Sequence, residues 1–241
     1  MELNLKGQVA IVTGAAQGMG RAIAQAFAAE GVNVAVVDLN EEKAIEVCDE
    51  LKASGAQAIA VKTDVSSPDA AERMAKTTLD AFGGIDILVN NAGFWVIKFF
   101  KDLTPADWEK EIAVNYYGVL NCTKAVLDHM LERGKGRIIN LSSDAARVGE
   151  LNHPTYCGAK AAVVAFTKAL AKDVGPKGIL VNTVAPGWTE TEGAVKMDEV
   201  TKQKVLKAYP LRKTGKPQDV ADMSVLGISQ ARPSASMVDI P

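Results

Sequence analysis

Six short apolar runs, most of them followed by a stretch long enough for a helix, constrain this chain more than any other feature. The runs are Gln8 to Val12, Asn33 to Val37, Ala58 to Lys62, Ile85 to Val89, Arg137 to Leu141 and Ile179 to Ala185. Between them lie an alanine-rich helical stretch to about Glu30, then Glu41 to Ser54, Pro68 to Phe82, Pro105 to Leu131 and Pro154 to Val174. Near-continuous apolar runs suit strands buried on both faces. Strands spaced by helices of this length imply right-handed βαβ crossovers and a parallel sheet. The expected fold class is α/β, a doubly wound parallel sheet with helices on both faces. With 241 residues, 48% of them hydrophobic, the chain can build one such domain. No internal repeat, low-complexity tract or linker divides it.

The first strand runs into a glycine turn. Thr13-Gly14 opens GAAQGMG, with glycines at 14, 18 and 20, ahead of the first helix. Glycines there let the backbone approach a phosphate, and a helix N-terminus offers free N–H groups and a positive dipole end. This is the arrangement of a Rossmann dinucleotide site, although the spacing is G-x3-G-x-G and not G-x-G-x-x-G. Gly14, Gln17, Gly18, Met19 and Gly20 are the expected phosphate contacts. The second strand ends in Asp38, where a dinucleotide fold places the carboxylate that binds the adenosine ribose. A carboxylate accepts hydrogen bonds from free ribose hydroxyls and repels a 2′-phosphate, and neither Leu39 nor Asn40 supplies an arginine. The expected cofactor is NAD, with NADP less favoured. Asp64, followed by Val65 after the third strand, is placed to reach an adenine amino group.

The chemistry-bearing stretch is SDAARVGELNHPTYCGAK. Ser143 precedes Tyr156 by thirteen residues, and Lys160 follows four later. On a helix, residues four apart share a face, about 5–6 Å apart at Cβ. A phenol titrates near 10 when unperturbed. An ammonium beside it favours the phenolate, and the expectation is a lowered Tyr156 pKa. With a serine hydroxyl on the same oxygen, the set can exchange a proton with a carbinol or carbonyl. The bare YxxxK spacing also describes an ordinary surface helix pair, and only the dinucleotide motifs give it a partner reaction.

Composition removes other classes. A net charge of −2 and a pI near 5.8 give no reason to invoke nucleic acid. No apolar run approaches a membrane span. The N-terminal MELNLKGQVAIVTG enters a strand directly, so no signal peptide is expected. Three unpaired cysteines (Cys48, Cys122, Cys157) fit reduced thiols and a cytoplasmic location. With two histidines and no ligand spacing, no metal is expected.

With these residues in hand the chain resembles a short-chain dehydrogenase/reductase over about residues 5 to 220. The motifs occur in order: Thr13-Gly14-x3-Gly18-x-Gly20, Asp64, Asn90-Asn91-Ala92-Gly93, Asn115, Ser143, Tyr156-x3-Lys160 and Asn182-x-Val184-x-Pro186-Gly187. The resemblance implies roles. Tyr156 would be the general acid/base, Lys160 would lower its pKa and bind the nicotinamide ribose, and Ser143 would hydrogen-bond the substrate oxygen. Asn115 would hold a water joining Lys160 to solvent, in a helix kinked at AVNYYG. Asn91, Ala92 and Gly93 would contact the cofactor. The carboxamide would meet backbone after Pro186 and Gly187, with Thr189 or Thr191 near the pyrophosphate. The family also implies a homo-oligomer, a tetramer or dimer.

By position in the family, Phe94, Trp95, Trp188 and Ala145 would join Ser143 in the substrate pocket, and the two indoles and the phenyl favour a bulky, apolar, cyclic substrate. NNAGFWVIKFF and SSDAARVG are also similar to 2-hydroxycyclohexanecarboxyl-CoA dehydrogenases, which implies a small-molecule alcohol, ketone or acyl-CoA partner. An NADPH-dependent 3-oxoacyl reductase and a non-catalytic dinucleotide-binding regulator are the competing readings. Residues about 188–210 would form a lid. Lys196, Lys202, Lys204 and Lys207 on it are diluted by Glu190, Glu192, Asp198 and Glu199 and read as a solvated face. Residues about 222–241 depart from the family, with Ser236 to Ile240 as the last available strand.

Overall fold

The computed structural model describes residues 3–192, 203, 206–207, 209, 211–228 and, as backbone, 237–240. Seven parallel strands form one sheet in the order β3-β2-β1-β4-β5-β6-β7. They are β1 (Val9–Thr13), β2 (Asn33–Asp38), β3 (Ala58–Lys62), β4 (Ile87–Asn90), β5 (Gly136–Leu141), β6 (Ile179–Pro186) and β7 (Met237–Ile240). The helices are α1 (Gly18–Ala29), α2 (Glu41–Ala53), α3 (Pro68–Phe82), α4 (Pro105–Ile112), α5 (Gly118–Arg133), α6 (Ala145–Val148), α7 (Pro154–Val174) and α8 (Pro217–Gly227). This is the doubly wound α/β fold expected of a single Rossmann domain.

Period-two side chains divide the core. Ala10 and Val12 of β1 join Val34, Val36 and Val89 in a cluster with Ile23 and Phe27 of α1, Val47 and Leu51 of α2, and Val220 and Val225 of α8. Ile11, Ala35, Val37 and Leu88 face the other way, against Met74 of α3, Val126 and Met130 of α5, and Leu170 and Val174 of α7. β1 thus has water on neither face, which is why its run is apolar throughout. Strand order reverses between β1 and β4, and ligands of such sheets bind in the crevice beyond the strand ends at this point.

Three elements differ from expectation. β4 begins at Ile87 and not Ile85. Asp86 keeps backbone bonds to both neighbours, its N–H donating to Val9 O and its carbonyl accepting from the Arg137 N–H (2.9 Å each), while its carboxylate accepts from the Val9 N–H (3.0 Å) and pairs with Arg133 (2.9 Å). The long helix divides into α4, a π-helical turn (Ala113–Tyr117) and α5. Asparagine is a weak helix former, and Asn115 there directs its amide elsewhere. α8 continues past 222, with Val225 and Ile228 buried, so the departing tail begins inside a helix. β7 then pairs parallel with β6, Thr183 opposite Met237.

Candidate active site

α2, α3 and α4 are capped by Asn40, Ser67 and Thr104, whose side chains accept from the N–H groups of Lys43, Ala70 and Asp107. α1 is not: Gln17 makes no capping bond, and no acidic residue stands in its first turn. Its N–H groups and dipole face the crevice. Gly14 lies at φ +64°, and a Cβ there would stand 2.8 Å from Ala92 Cα. A Cβ on Gly20 would fall 2.1 Å from the Gly14 carbonyl oxygen. No side chain fits, so the turn keeps its backbone open to a ligand.

The turn opens on a cleft of about 360 Å³. Gly14, Gln17, Gly18, Met19, Gly20, Asp38, Leu39, Asp64, Val65, Asn91, Ala92, Gly93, Trp95, Tyr156, Lys160 and Thr191 all line it. Asp38 stands at its edge, accepting from the Ala16 and Asn40 N–H groups at 3.0 Å each. Asp64 also reaches it, one oxygen held by Ser66 (2.6 Å to Oγ). Asn91 donates to the Thr13 and Gly14 carbonyls (2.9 and 3.1 Å), tying β4 to the glycine turn. Asn91 Oδ1 and Thr63 Oγ1 are buried without a hydrogen-bond partner, and both residues line the cleft. Orphaned acceptors, an uncapped helix and a turn that excludes Cβ fit a dinucleotide.

At the other end of the cleft α7 begins at Pro154 and carries Tyr156 and Lys160 one turn apart. The Lys160 ammonium is 5.8 Å from the Tyr156 ring centroid and donates to the Leu141 carbonyl at 2.8 Å. The Ser143 hydroxyl donates to Asp144 Oδ1 (3.3 Å), accepts from the Ala145 N–H (3.2 Å) and acts on the Tyr156 phenol. Ser142 turns away, its hydroxyl donating to the Lys160 carbonyl (2.9 Å). The Trp95 ring meets Tyr156 edge-on at 6.4 Å, and His153 does so at 6.1 Å.

Here the electrostatics overturn an expectation. Burial, first, pushes the Tyr156 phenol up to about 12; the Ser143 hydrogen bond opposes this, and Asp144, Cys157 and Glu111 add to it. Burial also lowers Lys160 to about 8. Low polarity disfavours both charged forms, phenolate and ammonium alike, and outweighs the attraction between them. Left to the protein's own groups, Tyr156 is a proton donor at neutral pH.

The short chain dehydrogenase family matches residues 8–202 of this sequence. The chain is 40% identical over 220 residues to the (2S)-[(R)-hydroxy(phenyl)methyl]succinyl-CoA dehydrogenase subunit BbsD of Thauera aromatica, covering 91% of this chain and 88% of that one. It is 41% identical over 218 residues to a 3-oxoacyl-[acyl-carrier-protein] reductase of Synechocystis, covering 90% and 87%. Against the reductase FabG of Aquifex aeolicus it is 37% identical over 224 residues, covering 92% and 90%. The chain belongs to the short-chain dehydrogenases. It is an NAD(P)-dependent oxidoreductase.

Within this short-chain dehydrogenase the remaining expected residues are placed as follows. Asn115 is fully buried and its amide clamps Phe94, donating to that carbonyl and to Glu111 O (2.9 Å) and accepting from the Phe94 N–H (3.2 Å). Both amide donors are therefore taken, and the side chain serves the loop after β4. Pro186 ends β6, and its carbonyl accepts from the Asp144 N–H (3.0 Å). Thr189 is buried against Gly187, its hydroxyl donating to that carbonyl at 3.2 Å, and does not line the cleft. The Trp188 N–H donates to the Tyr209 hydroxyl (3.2 Å). Ala145 is buried at the start of α6. Glu190, Glu192 and Lys207 are exposed; Lys196, Lys202, Lys204, Asp198 and Glu199 lie outside the described residues. Burial pushes the Cys157 thiol up, which leaves it little thiolate at neutral pH. No described helix is long and apolar enough to cross a membrane.

Sequence reasoning named Phe94 for the pocket wall but missed Lys110, Asp144 and Glu111. The Lys110 ammonium stands 4.3 Å from the Phe94 ring centroid, and both line the cleft. Glu111 is a carboxylate with no exposure, accepting from the Val96 N–H (2.7 Å) and from the Thr155 hydroxyl. A charge at an inward position of α4 was the available signal.

Proposed function

We propose that this enzyme is an NAD-dependent dehydrogenase that oxidises a bulky or cyclic β-hydroxyacyl-CoA, or a related secondary alcohol, to the ketone. The observation that carries the reading is the pairing of Asp38 at the ribose end of the cleft with an apolar wall at the Tyr156 end. A bound nicotinamide would supply the hydride-accepting chemistry for the carbinol carbon. The residues of this chain do the rest. α1 and the glycine turn hold the pyrophosphate, Asp38 accepts from the ribose hydroxyls, and Lys160 donates to the second ribose. Ser143 donates to the substrate oxygen. Tyr156 takes the proton from that oxygen, and added positive charge near the phenol favours the ionised form this requires. In ketone reduction the same phenol gives its proton.

Trp95 stands beside Tyr156, and the Lys98 N–H donates to Asn152 O (3.1 Å), joining the loops that carry exposed Ile97 and Leu151. Those apolar side chains support a hydrophobic acyl group. The Thauera relative named for a phenyl-bearing succinyl-CoA supports a thioester.

A second reading, reduction of 3-oxoacyl thioesters with NADPH, is favoured by Lys43, whose ammonium reaches Gln17 at the cleft edge (3.3 Å). An initial-rate assay decides. A cyclic or aromatic β-hydroxyacyl-CoA should be oxidised with NAD+ at a kcat/KM well above that with NADP+. Turnover confined to NADPH and a 3-oxoacyl thioester would replace the proposal with the second reading.

A further inference from the structure

The wall that faces the substrate is a loop without regular structure, running from Asn91 to Phe99. Its alternate N–H groups nevertheless all find acceptors. The Phe94 N–H goes to Asn115 Oδ1, the Val96 N–H to Glu111 Oε1, and the Lys98 N–H to the Asn152 carbonyl. Two of the three acceptors are side chains four residues apart, Glu111 near the end of α4 and Asn115 in the π-helical turn that follows. Glu111 and Asn115 thus offer the loop the acceptors that a neighbouring strand would offer. Trp95 lies between the two anchored N–H groups, with its ring edge-on to Tyr156 at 6.4 Å.

Glu111 does one thing more. Its second oxygen accepts from the Thr155 hydroxyl, on the residue before Tyr156 in the first turn of α7. One fully buried carboxylate therefore bonds both the loop bearing Trp95 and the turn bearing Tyr156. A buried carboxylate is costly unless each oxygen is bonded, and here each is. An apolar residue would be the ordinary choice at an inward position of a helix; a carboxylate there demands both partners and so fixes their separation.

We propose that Glu111 is a positioning residue that sets Trp95 against Tyr156 and thereby fixes where the substrate carbinol sits; this rests on the proposed reaction at Tyr156. Glu111 does not touch the reacting atoms. It acts through Val96 and Thr155. Misplacement of a reacting group by about 1 Å costs on the order of 100-fold in rate.

The test compares Glu111→Leu with Glu111→Gln. Leucine leaves the Val96 N–H and the Thr155 hydroxyl without their partner, and kcat/KM for the alcohol should fall roughly 10- to 100-fold. NADH affinity, read by nicotinamide fluorescence, should stay within about twofold, because the glycine turn and Asp38 are untouched. Glutamine can accept from Val96 with its oxygen and donate to Thr155 with its nitrogen, and it should recover most of the loss. Should Glu111→Leu fail to fold, Thr155→Val against Thr155→Ser gives the same contrast in milder form. A second readout needs no substrate. In a Trp108→Phe, Trp188→Phe background, acrylamide should quench Trp95 more strongly after Glu111→Leu and not after Glu111→Gln. If no alcohol is turned over by the wild type, the reaction assignment fails while the quenching contrast still reads the positioning. Unchanged kcat/KM and unchanged quenching in Glu111→Leu would overturn the inference. So would a parallel loss of NADH binding, which would make Glu111 a general support of the fold.

Discussion

The two sides of the cleft are built by opposite means. On the cofactor side backbone meets backbone: Gly20 lies so close to Gly14 O that a Cβ would stand 2.1 Å away, and α1 leaves its N-terminus uncapped. On the substrate side the Asn115 and Glu111 side chains grip the Phe94–Val96 segment. The close approaches at Gly14 and Gly20 admit no added atom, so those two positions on the cofactor side require glycine. Side-chain contacts can be exchanged one for another, so the second side can be retuned for a new substrate without disturbing the first. This division suits a family whose named relatives here act on different thioesters.

The largest effect is expected where the sides meet. Tyr156→Phe removes the proton partner and should lower kcat by about 10²–10⁴-fold while NADH binding persists in a fluorescence titration; retained turnover would remove Tyr156 from the proton transfer. Next comes the cofactor side. Gly20→Ala pushes a methyl into the Gly14 carbonyl, and overpacking of this kind costs about 1–3 kcal/mol. Titration should find NADH binding lost and thermal melting should find a lower Tm. An alanine variant that binds like the wild type would show that the turn relaxes and the contrast with the substrate side is false.

Asp38→Ala sharpens the comparison, because it trims a side chain on the backbone-built side. A hydrogen bond to a charged group is worth about 1.5–3 kcal/mol, so NADH affinity should fall by roughly tenfold or more. NADPH should lose less, which narrows the preference measured in paired titrations.

The smallest effect lies far from both sides, where His129 Nε2 accepts from the Ile85 N–H at 3.2 Å. Burial, first, and the Arg133 charge lower its pKa from the ordinary 6.5. The sign follows: the neutral ring stabilises the fold fully above pH 6.5, and that contribution is lost as pH falls through the lowered value. Melting curves should show a Tm drop of a few degrees at most on acidification. His129→Gln, which keeps an acceptor, should flatten that slope.

The same division explains what was legible in the sequence. Strand runs and the glycine turn could be read because burial on both faces and the exclusion of Cβ leave few residue types possible. Asp38 was legible as the end of a strand, and Ser143 by its spacing to Tyr156. The Tyr156 pKa was not, since spacing reports a neighbouring charge but not how much water is removed. Glu111 went unread because its acceptor role depends on Val96, fifteen residues back, and Thr155, forty-four ahead. The Ile85 boundary failed because the Ile85 N–H and carbonyl bond the side chains of His129 and Arg133 and not a neighbouring strand. Of Thr189 and Thr191, either of them expected near the pyrophosphate, Thr191 lines the cleft and Thr189 folds inward on Gly187.

The most direct test of the account is a titration of the purified protein with NADH and with NADPH, followed by nicotinamide fluorescence. Asp38 at the cleft edge predicts saturable NADH binding, with NADPH at least about tenfold weaker as expected for a carboxylate facing a 2′-phosphate. Equal or tighter NADPH binding would contradict the ribose assignment and, with it, the oxidative direction proposed for this enzyme.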